Sequence, residues 1–348
     1  MKFFYAICSV TFISVGSVIG AGFISGRELV SFFGTGDFLP RLIFASVLLS
    51  AFFSLLFLVG RNSSNLNALN KKLFKDERVV YYAILIASFI SVSTLLAGVD
   101  SLVLSAFDFS FPLCSIVLLI LVSIFSKHGI KGVEKLSVIL IPIVVIVATF
   151  MIIKKGDLGY SKTESVGGVG VVSAILYASM NAFINLPPIV ECSSGKKKSV
   201  LISSAILSGL LLFIEGYLIL NTVVKSGTFD QDIPLLSAMG NTGGALFFIA
   251  LFASMVTSVF SAYYPLYFFA KEKGKNLGVI ILALLLFCFS RLGIKNLVGY
   301  VYPIIGAFGV VYLISCVKYL IRKKYKKITI DDNKSEGENY EQKKEKQS

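Results

Sequence analysis

Hydroxyl-bearing residues in one apolar stretch have the spacing of a binding face. Within 253–261 they recur at i, i+3, i+4 and i+7, which places them all on one side of a helix: Ser254, Thr257, Ser258 and Ser261. Facing bare backbone carbonyls, such a row would form a hard-oxygen site that suits a small cation such as Na⁺. The alternative is that each hydroxyl bonds to its own backbone and only permits close packing.

A glycine-rich segment near the N-terminus could supply those carbonyls. Residues 14–28 contain Gly16, Gly20, Gly22 and Gly26, and each glycine weakens a helix by about 1 kcal/mol relative to alanine. We therefore expect the first helix to unwind near Gly20 and Gly22. Free carbonyls there can coordinate a cation, and free amides can bind a carboxylate. The same glycines also fit a close-packing motif, which is the alternative.

A third segment, 177–191, combines two asparagines with two adjacent prolines. Pro187 and Pro188 remove two backbone donors and clash with the preceding turn, so a break or kink is expected. Asn181 and Asn185 lie in apolar sequence and need hydrogen-bond partners. Those partners lie either across a helix contact or in a polar site shared with the glycine-rich segment. We favour the shared site.

Three acidic residues lie in or beside apolar segments, where an ionisable group indicates a functional role. Asp100 and Glu215 are candidates for proton or ion coupling. Glu28 is expected to cap the outer end of its helix, because Arg27 lies beside it.

Membrane-spanning helices must position these residues. Of 348 residues, 55% are hydrophobic and only 15% are charged, too few charges for the surface of a soluble protein. Apolar stretches recur at the length that crosses a bilayer, and a segment in lipid must satisfy its own backbone hydrogen bonds as a helix. The predicted fold is an all-α membrane protein with about ten transmembrane helices. They are expected at about 3–33 (interrupted), 40–59, 79–106, 111–126, 136–153, 168–190 (interrupted), 198–223, 243–270, 277–291 and 297–321.

The helices divide into two halves, at about 1–155 and 165–323, and each half opens with an interrupted helix. Because each half has an odd number of helices, the predicted arrangement is a pair of inverted five-helix repeats. Lys and Arg concentrate in the connections on the side of the N-terminus, which predicts that both termini are cytoplasmic. Residues 1–323 form the predicted membrane domain. Residues 324–348, rich in charge, form a predicted disordered cytoplasmic tail.

Charge and residue content exclude other classes of protein. The net charge of +13 lies in connections and the tail, which indicates membrane orientation and argues against nucleic-acid binding. The cysteines are scattered, and the single histidine, His128, lies in a predicted connection. Because no metal-ligand pair, nucleophile elbow or phosphate loop is present, the sequence predicts no enzyme, no cofactor and no metal beyond Na⁺.

The segment 18–28, Val-Ile-Gly-Ala-Gly-Phe-Ile-Ser-Gly-Arg-Glu, resembles the opening signature of the YkvI-like amino acid permeases. These are bacterial membrane proteins of the amino acid–polyamine–cation superfamily, and the resemblance extends through 177–191 and the ten-helix plan. It implies the leucine-transporter fold, with broken helices one and six. It also implies a sodium site formed by the carbonyls of Gly16 and Ile19 and the hydroxyls of Thr257 and Ser258. Phe23 stands where sodium-dependent members have an asparagine, which argues against a second sodium.

The resemblance also implies a function. The chain would be a secondary active transporter of a small solute, an amino acid or a related compound, working by alternating access in the bacterial cytoplasmic membrane. The solute would lie between 20–26 and 177–183, and its candidate contacts are Gly20, Gly22, Phe23, Tyr177, Ser179, Asn181 and Phe183. Two alternatives are a proton-coupled permease and a non-transporting sensor subunit on the same fold. The expected partners are the solute and the lipid bilayer.

Overall fold

A computed structural model describes residues 2–63, 65–107, 112–126, 130–155, 159–160, 170–240 and 244–345, and every regular element in these ranges is helical. The elements are α1 (Lys2–Val18), α2 (Ala21–Ile24), α3 (Arg27–Phe33), α4 (Phe38–Gly60), α5 (Leu66–Leu73), α6 (Glu77–Phe107), α7 (Leu113–Phe125), α8 (Ile130–Lys154), α9 (Val171–Ile184), α10 (Leu186–Ser193), α11 (Lys198–Ser226), α12 (Pro234–Met239), α13 (Gly244–Ser290), α14 (Ile294–Asn296), a π-helical turn (Leu297–Val301) and α15 (Tyr302–Glu345).

Within the described ranges, five helical spans are long and apolar enough to cross a membrane, and the bent pair α9–α10 makes a sixth. The outer surface carries large exposed apolar side chains, among them Val47, Ile86, Ile146 and Leu284. An exposed apolar surface of this extent is suited to lipid. At about 1.5 Å per residue, α13 is too long for one crossing. It departs from helical geometry at Lys275, between the two helices predicted there.

Both predicted breaks are present. The first helix stops at Val18, Gly20 is extended, and Gly26 has a φ of 82°, which only glycine adopts without strain. The second break is at Asn185, and α9 and α10 on either side of it are bent by 63°. The two prolines that follow fit there because the first turn of a helix needs no donor from them.

The broken helices pack on a scaffold of long helices. The described helices form extensive pairs between α6 and α13, α9 and α15, and α4 and α11, and α1 lies against α8 and α11. Close approach of α9 and α15 depends on Gly306 and Gly309, which face the α9 backbone. This packing holds the two breaks beside each other, since α2 contacts α6 and α13 while α9 also contacts α6.

Three segments differ from the sequence prediction. The short helices α5 and α12 lie where connections were expected. Asn65 caps α5 by accepting a hydrogen bond from the Ala68 amide at 2.8 Å. The backbone of α15 continues as helix to Glu345, whereas disorder was predicted from 324 onward. Lys and Glu, which are frequent in this segment, are good helix formers. The division into a membrane domain and a tail stays a prediction.

Candidate functional site

The row of hydroxyls on α13 meets the first broken helix. The Ser258 hydroxyl donates to the carbonyl oxygens of Ile19 at 3.1 Å and Gly16 at 3.3 Å, where α1 ends. The neighbouring Thr257 hydroxyl is buried and donates to the Ser254 carbonyl of its own helix at 2.8 Å. The structure therefore brings Ser258 together with Gly16 and Ile19, and a role of these residues and Thr257 in ion binding stays a prediction.

A small cavity lies between the two broken helices. Its volume is about 20 Å³, room for one species of the size of a water molecule. Its lining combines residues of α1, α2 and α3, of α9 and the second break, and of α6, α13 and α15. The polar members are Ser17, Glu28, Ser91, Asn181, Asn185, Ser258 and Tyr302. Gly20 and Asn181 were predicted to contact a solute, and both line this cavity.

Glu28 is the one carboxylate among the lining residues, and only 5% of it is exposed. Its side chain reaches back from α3 beneath Gly22, where an added Cβ would lie 2.6 Å from the Glu28 Cγ. Oε2 has no hydrogen-bond partner among the described residues. The expectation that Glu28 caps its helix is wrong, because α3 has no side-chain cap.

Arg27, the neighbour of Glu28, points to a different part of the protein. Its Nη1 donates to the carbonyls of Phe229 at 2.8 Å and Gln231 at 3.0 Å, in the segment that precedes α12. The Leu235 amide of α12 in turn donates to the Ser25 carbonyl at 2.8 Å. Arg27 and α12 therefore fasten the α2–α3 junction to the connection after α11.

The asparagines of the second break use their amide nitrogens within their own helix. Asn181 Nδ2 donates to the Tyr177 carbonyl at 3.1 Å, and Asn185 Nδ2 donates to the Asn181 carbonyl at 2.8 Å. Because a carbonyl can only accept, the nitrogen of each side chain faces it, and the oxygen Oδ1 is left for other contacts.

The other predicted solute contacts lie outside the lining of this cavity. Tyr177 packs edge-on against the ring of Phe33, with ring centroids 4.9 Å apart. The ring of Phe183 packs against the ring of Tyr312, with centroids 5.8 Å apart. The Ser179 hydroxyl donates to the Gly306 carbonyl at 2.8 Å and so joins α9 to α15. The contacts of these residues, and of Gly22 and Phe23, with a solute stay predictions.

The two predicted coupling acids also lie outside the cavity lining. Asp100 forms a salt bridge with Arg291 and accepts a hydrogen bond from the Ser115 amide at 3.2 Å. Glu215 is 1% exposed, accepts a hydrogen bond from the Thr149 hydroxyl, and so joins α11 to α8. Its Oε2 has no hydrogen-bond partner among the described residues. A coupling role for either acid stays a prediction.

No protein-family model matches the chain. It is similar to the uncharacterized membrane protein YkvI of Bacillus subtilis (strain 168), with 24% identity over 328 residues that cover 87% of this chain and 92% of YkvI. It is also similar to the uncharacterized protein YyaD of the same organism, with 22% identity over 90% of this chain and 96% of YyaD.

Solved structures with a similar fold are transporters. Mhp1, a nucleobase-cation-symport-1 family transporter in a closed conformation with bromovinylhydantoin, matches with a TM-score of 0.62 and 12% identity, over 88% of this chain and 77% of Mhp1. A mutant manganese transporter of Eremococcus coleocola matches with a TM-score of 0.53 and 15% identity, over 88% and 78%. These neighbours are not enzymes, in agreement with the prediction from the sequence. The chain is a multi-pass, all-helical membrane protein with the leucine-transporter fold.

Proposed function

We propose that this chain is a secondary active transporter that carries a small solute, an amino acid or a related compound, across a bacterial cytoplasmic membrane in symport with Na⁺. The single observation that carries the proposal is the contact of the Ser258 hydroxyl with the Gly16 and Ile19 carbonyls at the end of α1. The proposed arrangement has about ten spans in two inverted repeats, with both termini in the cytoplasm.

The Ser258 contact suits an ion site because its oxygens come from two different helices. A cation between them would be coordinated by the Gly16 and Ile19 carbonyls and by the hydroxyl oxygen of Ser258, with Thr257 beside it. With the cation bound, the site would hold α1 against α13. Release of the cation would leave α1 freer to move. An ion that binds one conformation better shifts the equilibrium toward it, which is what coupling requires.

The ion site and the cavity share residues. Ser258 lines the cavity, and a Cβ added to Gly20 would lie 3.5 Å from its hydroxyl oxygen. A solute in an enlarged form of this cavity would therefore contact the elements that hold the ion. In alternating access, α1–α3 and α9–α10 would rock against α6, α7 and α13. The similar fold of Mhp1, a nucleobase-cation-symport-1 family transporter, supports the same mechanism.

The first test is uptake of a labelled amino acid mixture into proteoliposomes, with and without an inward Na⁺ gradient. Removing two hydroxyl ligands in a Thr257→Ala/Ser258→Ala variant is expected to abolish stimulation by Na⁺. Ser254→Ala is the matched control, because Ser254 donates to Leu251 of its own helix at 2.9 Å and its loss leaves the proposed ligands intact. Equal uptake without Na⁺ and in the double variant would reject the sodium site. No uptake of any amino acid would favour the sensor alternative.

A proton-coupled permease is the second candidate, favoured by the buried Glu215 with its unpaired Oε2. If protons drive transport through this residue, an inward proton gradient stimulates uptake in the wild type, and Glu215→Gln, which cannot release a proton, removes that stimulation. Uptake into the same liposomes, with a pH gradient and without Na⁺, measures this stimulation. Asp100→Asn serves as a comparison, since the salt bridge with Arg291 already provides a partner for that carboxylate. If a proton gradient still stimulates uptake by the Glu215→Gln variant, Glu215 is excluded as the proton carrier.

A further inference from the structure

Glu28 is a buried carboxylate for which the described protein supplies no cation. Its nearest charged neighbour in sequence, Arg27, is bonded to the carbonyls of Phe229 and Gln231. Tyr302, which lines the same cavity, carries a neutral hydroxyl. Burying an unpaired carboxylate is costly, so a positively charged ligand in the cavity would stabilise it.

The cavity in front of Glu28 offers acceptors, and several of its donors already have partners. The Ser17 hydroxyl donates to the Ser14 carbonyl at 2.8 Å, and the Ser258 hydroxyl donates to α1. The Nδ2 groups of Asn181 and Asn185 are bonded to their own helix. In the described part of the chain no hydrogen bond reaches the Oδ1 oxygen of either asparagine. The carboxylate and these two amide oxygens therefore remain as acceptors for a ligand, beside the hydroxyls of Ser91 and Tyr302, which can donate or accept.

We propose that this cavity binds the protonated primary amine of the transported solute, with the Glu28 carboxylate as its counter-ion. A primary ammonium carries three N–H donors and one positive charge. The carboxylate and the two amide oxygens give the cavity three groups that only accept, and one negative charge. Its volume of about 20 Å³ matches a group of the size of water. The inference rests on the proposed transport function and adds the charge that the solute must carry. The body of the solute requires the cavity to widen, as alternating access provides.

Two other cations fit the cavity less well. A divalent metal would keep an uncompensated positive charge beside a single carboxylate, and no group of three or more His, Cys, Asp or Glu side chains suited to a metal occurs among the described residues. The proposed Na⁺ has its own oxygens at Gly16, Ile19 and Ser258. The amide oxygens of Asn181 and Asn185 are neutral acceptors that match N–H donors.

The test measures ligand-induced thermal stabilisation of the purified full chain. The ligands are the L-amino acids, ethanolamine and putrescine, each paired with an analogue that carries hydroxyl in place of the amine, such as L-lactate for L-alanine. We expect amines to stabilise the wild type and the hydroxyl analogues to have no effect. Glu28→Gln should lower the affinity for the amine roughly 30-fold or more, because the counter-ion is lost.

Two features keep the test specific to Glu28. Glutamine has nearly the same shape, so Glu28→Gln should unfold without ligand at the wild-type temperature or above it, since an unpaired buried charge is removed. Glu272→Gln is the control, because Glu272 is an exposed acid outside the cavity, and it should bind amines as the wild type does. A large fall in the unfolding temperature of Glu28→Gln without ligand would indicate a structural role and overturn the proposal.

Other results would also overturn it. These are amine affinity unchanged in Glu28→Gln, equal stabilisation by the hydroxyl analogues, no stabilisation by any amine, or a Glu28-dependent shift with KCl or MnCl₂ alone. Uptake separates this inference from the proposed function. If the wild type transports amino acids and Glu28→Gln transports them with equal affinity, the amine site is rejected and transport stands. If the wild type transports nothing, the transport function fails, whereas Glu28-dependent amine binding would still support the site.

Discussion

Replacing Gly22 by alanine is expected to reduce solute affinity roughly 10- to 100-fold while the protein stays folded. The reason is the loss of one charge-assisted hydrogen bond, the proposed one between the Glu28 carboxylate and the solute amine. The added Cβ would lie 2.6 Å from the Cγ and 2.7 Å from the Cδ of Glu28, and closer still to Oε1. These atoms belong to a flexible side chain, which can move away at small cost in stability. The carboxylate would then leave its place in the cavity.

Uptake kinetics and the unfolding temperature, measured on the same preparation of Gly22→Ala, separate these two effects. We expect a large rise in the solute concentration needed for half-maximal uptake and a small change in unfolding temperature. Gly170→Ala is the control, since a Cβ there meets no atom within 4 Å and the backbone is extended. Wild-type uptake by Gly22→Ala would show that the placement of Glu28 beneath α2 is not needed for transport.

The breaks in the two helices were predictable because they depend on local backbone preferences. Pro187 and Pro188 cannot continue a helix, and Gly26 adopts a left-handed conformation that other residues avoid. The contact of Ser258 with Gly16 and Ile19 joins residues about 240 positions apart in the chain, which no local pattern determines. The spacing of the hydroxyls predicted only that they share a face. Their partner on α1 followed from the family resemblance.

The sequence did not reveal that Glu28 lines the cavity, because Arg27, its neighbour in sequence, was interpreted as its partner. Successive residues of a helix point about 100° apart, so Arg27 and Glu28 on α3 face different surroundings. Arg27 reaches the segment before α12, and Glu28 turns beneath Gly22 into the cavity. The glycine that makes room for the carboxylate stands six residues before it, at a break whose direction the sequence does not specify.

Ser179 illustrates a different limit of prediction from sequence. Its contact with solute stays a prediction, but its hydroxyl also donates to the Gly306 carbonyl in the contact between α9 and α15, a role that the sequence did not indicate. Which face of α9 meets α15 depends on the small residues of a helix more than 120 positions away. Hydroxyls at such close contacts commonly bond to backbone carbonyls, as the packing alternative for Ser and Thr predicts.

The same contact gives the largest expected loss of stability. Replacing Gly309 by alanine would place a Cβ 2.7 Å from the carbonyl carbon of Ser179 and closer still to its oxygen. Backbone atoms cannot move aside as a side chain does, so α9 and α15 must separate. Overpacking of this kind typically costs about 1–3 kcal/mol, and we expect the upper end of that range because the Ser179–Gly306 hydrogen bond weakens as well. The unfolding temperature in detergent measures the loss.

Gly299→Ala is the matched control for Gly309→Ala, because a Cβ at Gly299 meets no atom within 4 Å. Alanine favours the helix by about 1 kcal/mol relative to glycine, so helix propensity alone would make Gly309→Ala stabilising. Any destabilisation must therefore come from the contact between α9 and α15. Since α9 carries Asn181 into the cavity, the variant should also lower solute affinity in the fraction that stays folded. Equal unfolding temperatures for the two variants would mean that α9 and α15 are not packed through Gly309.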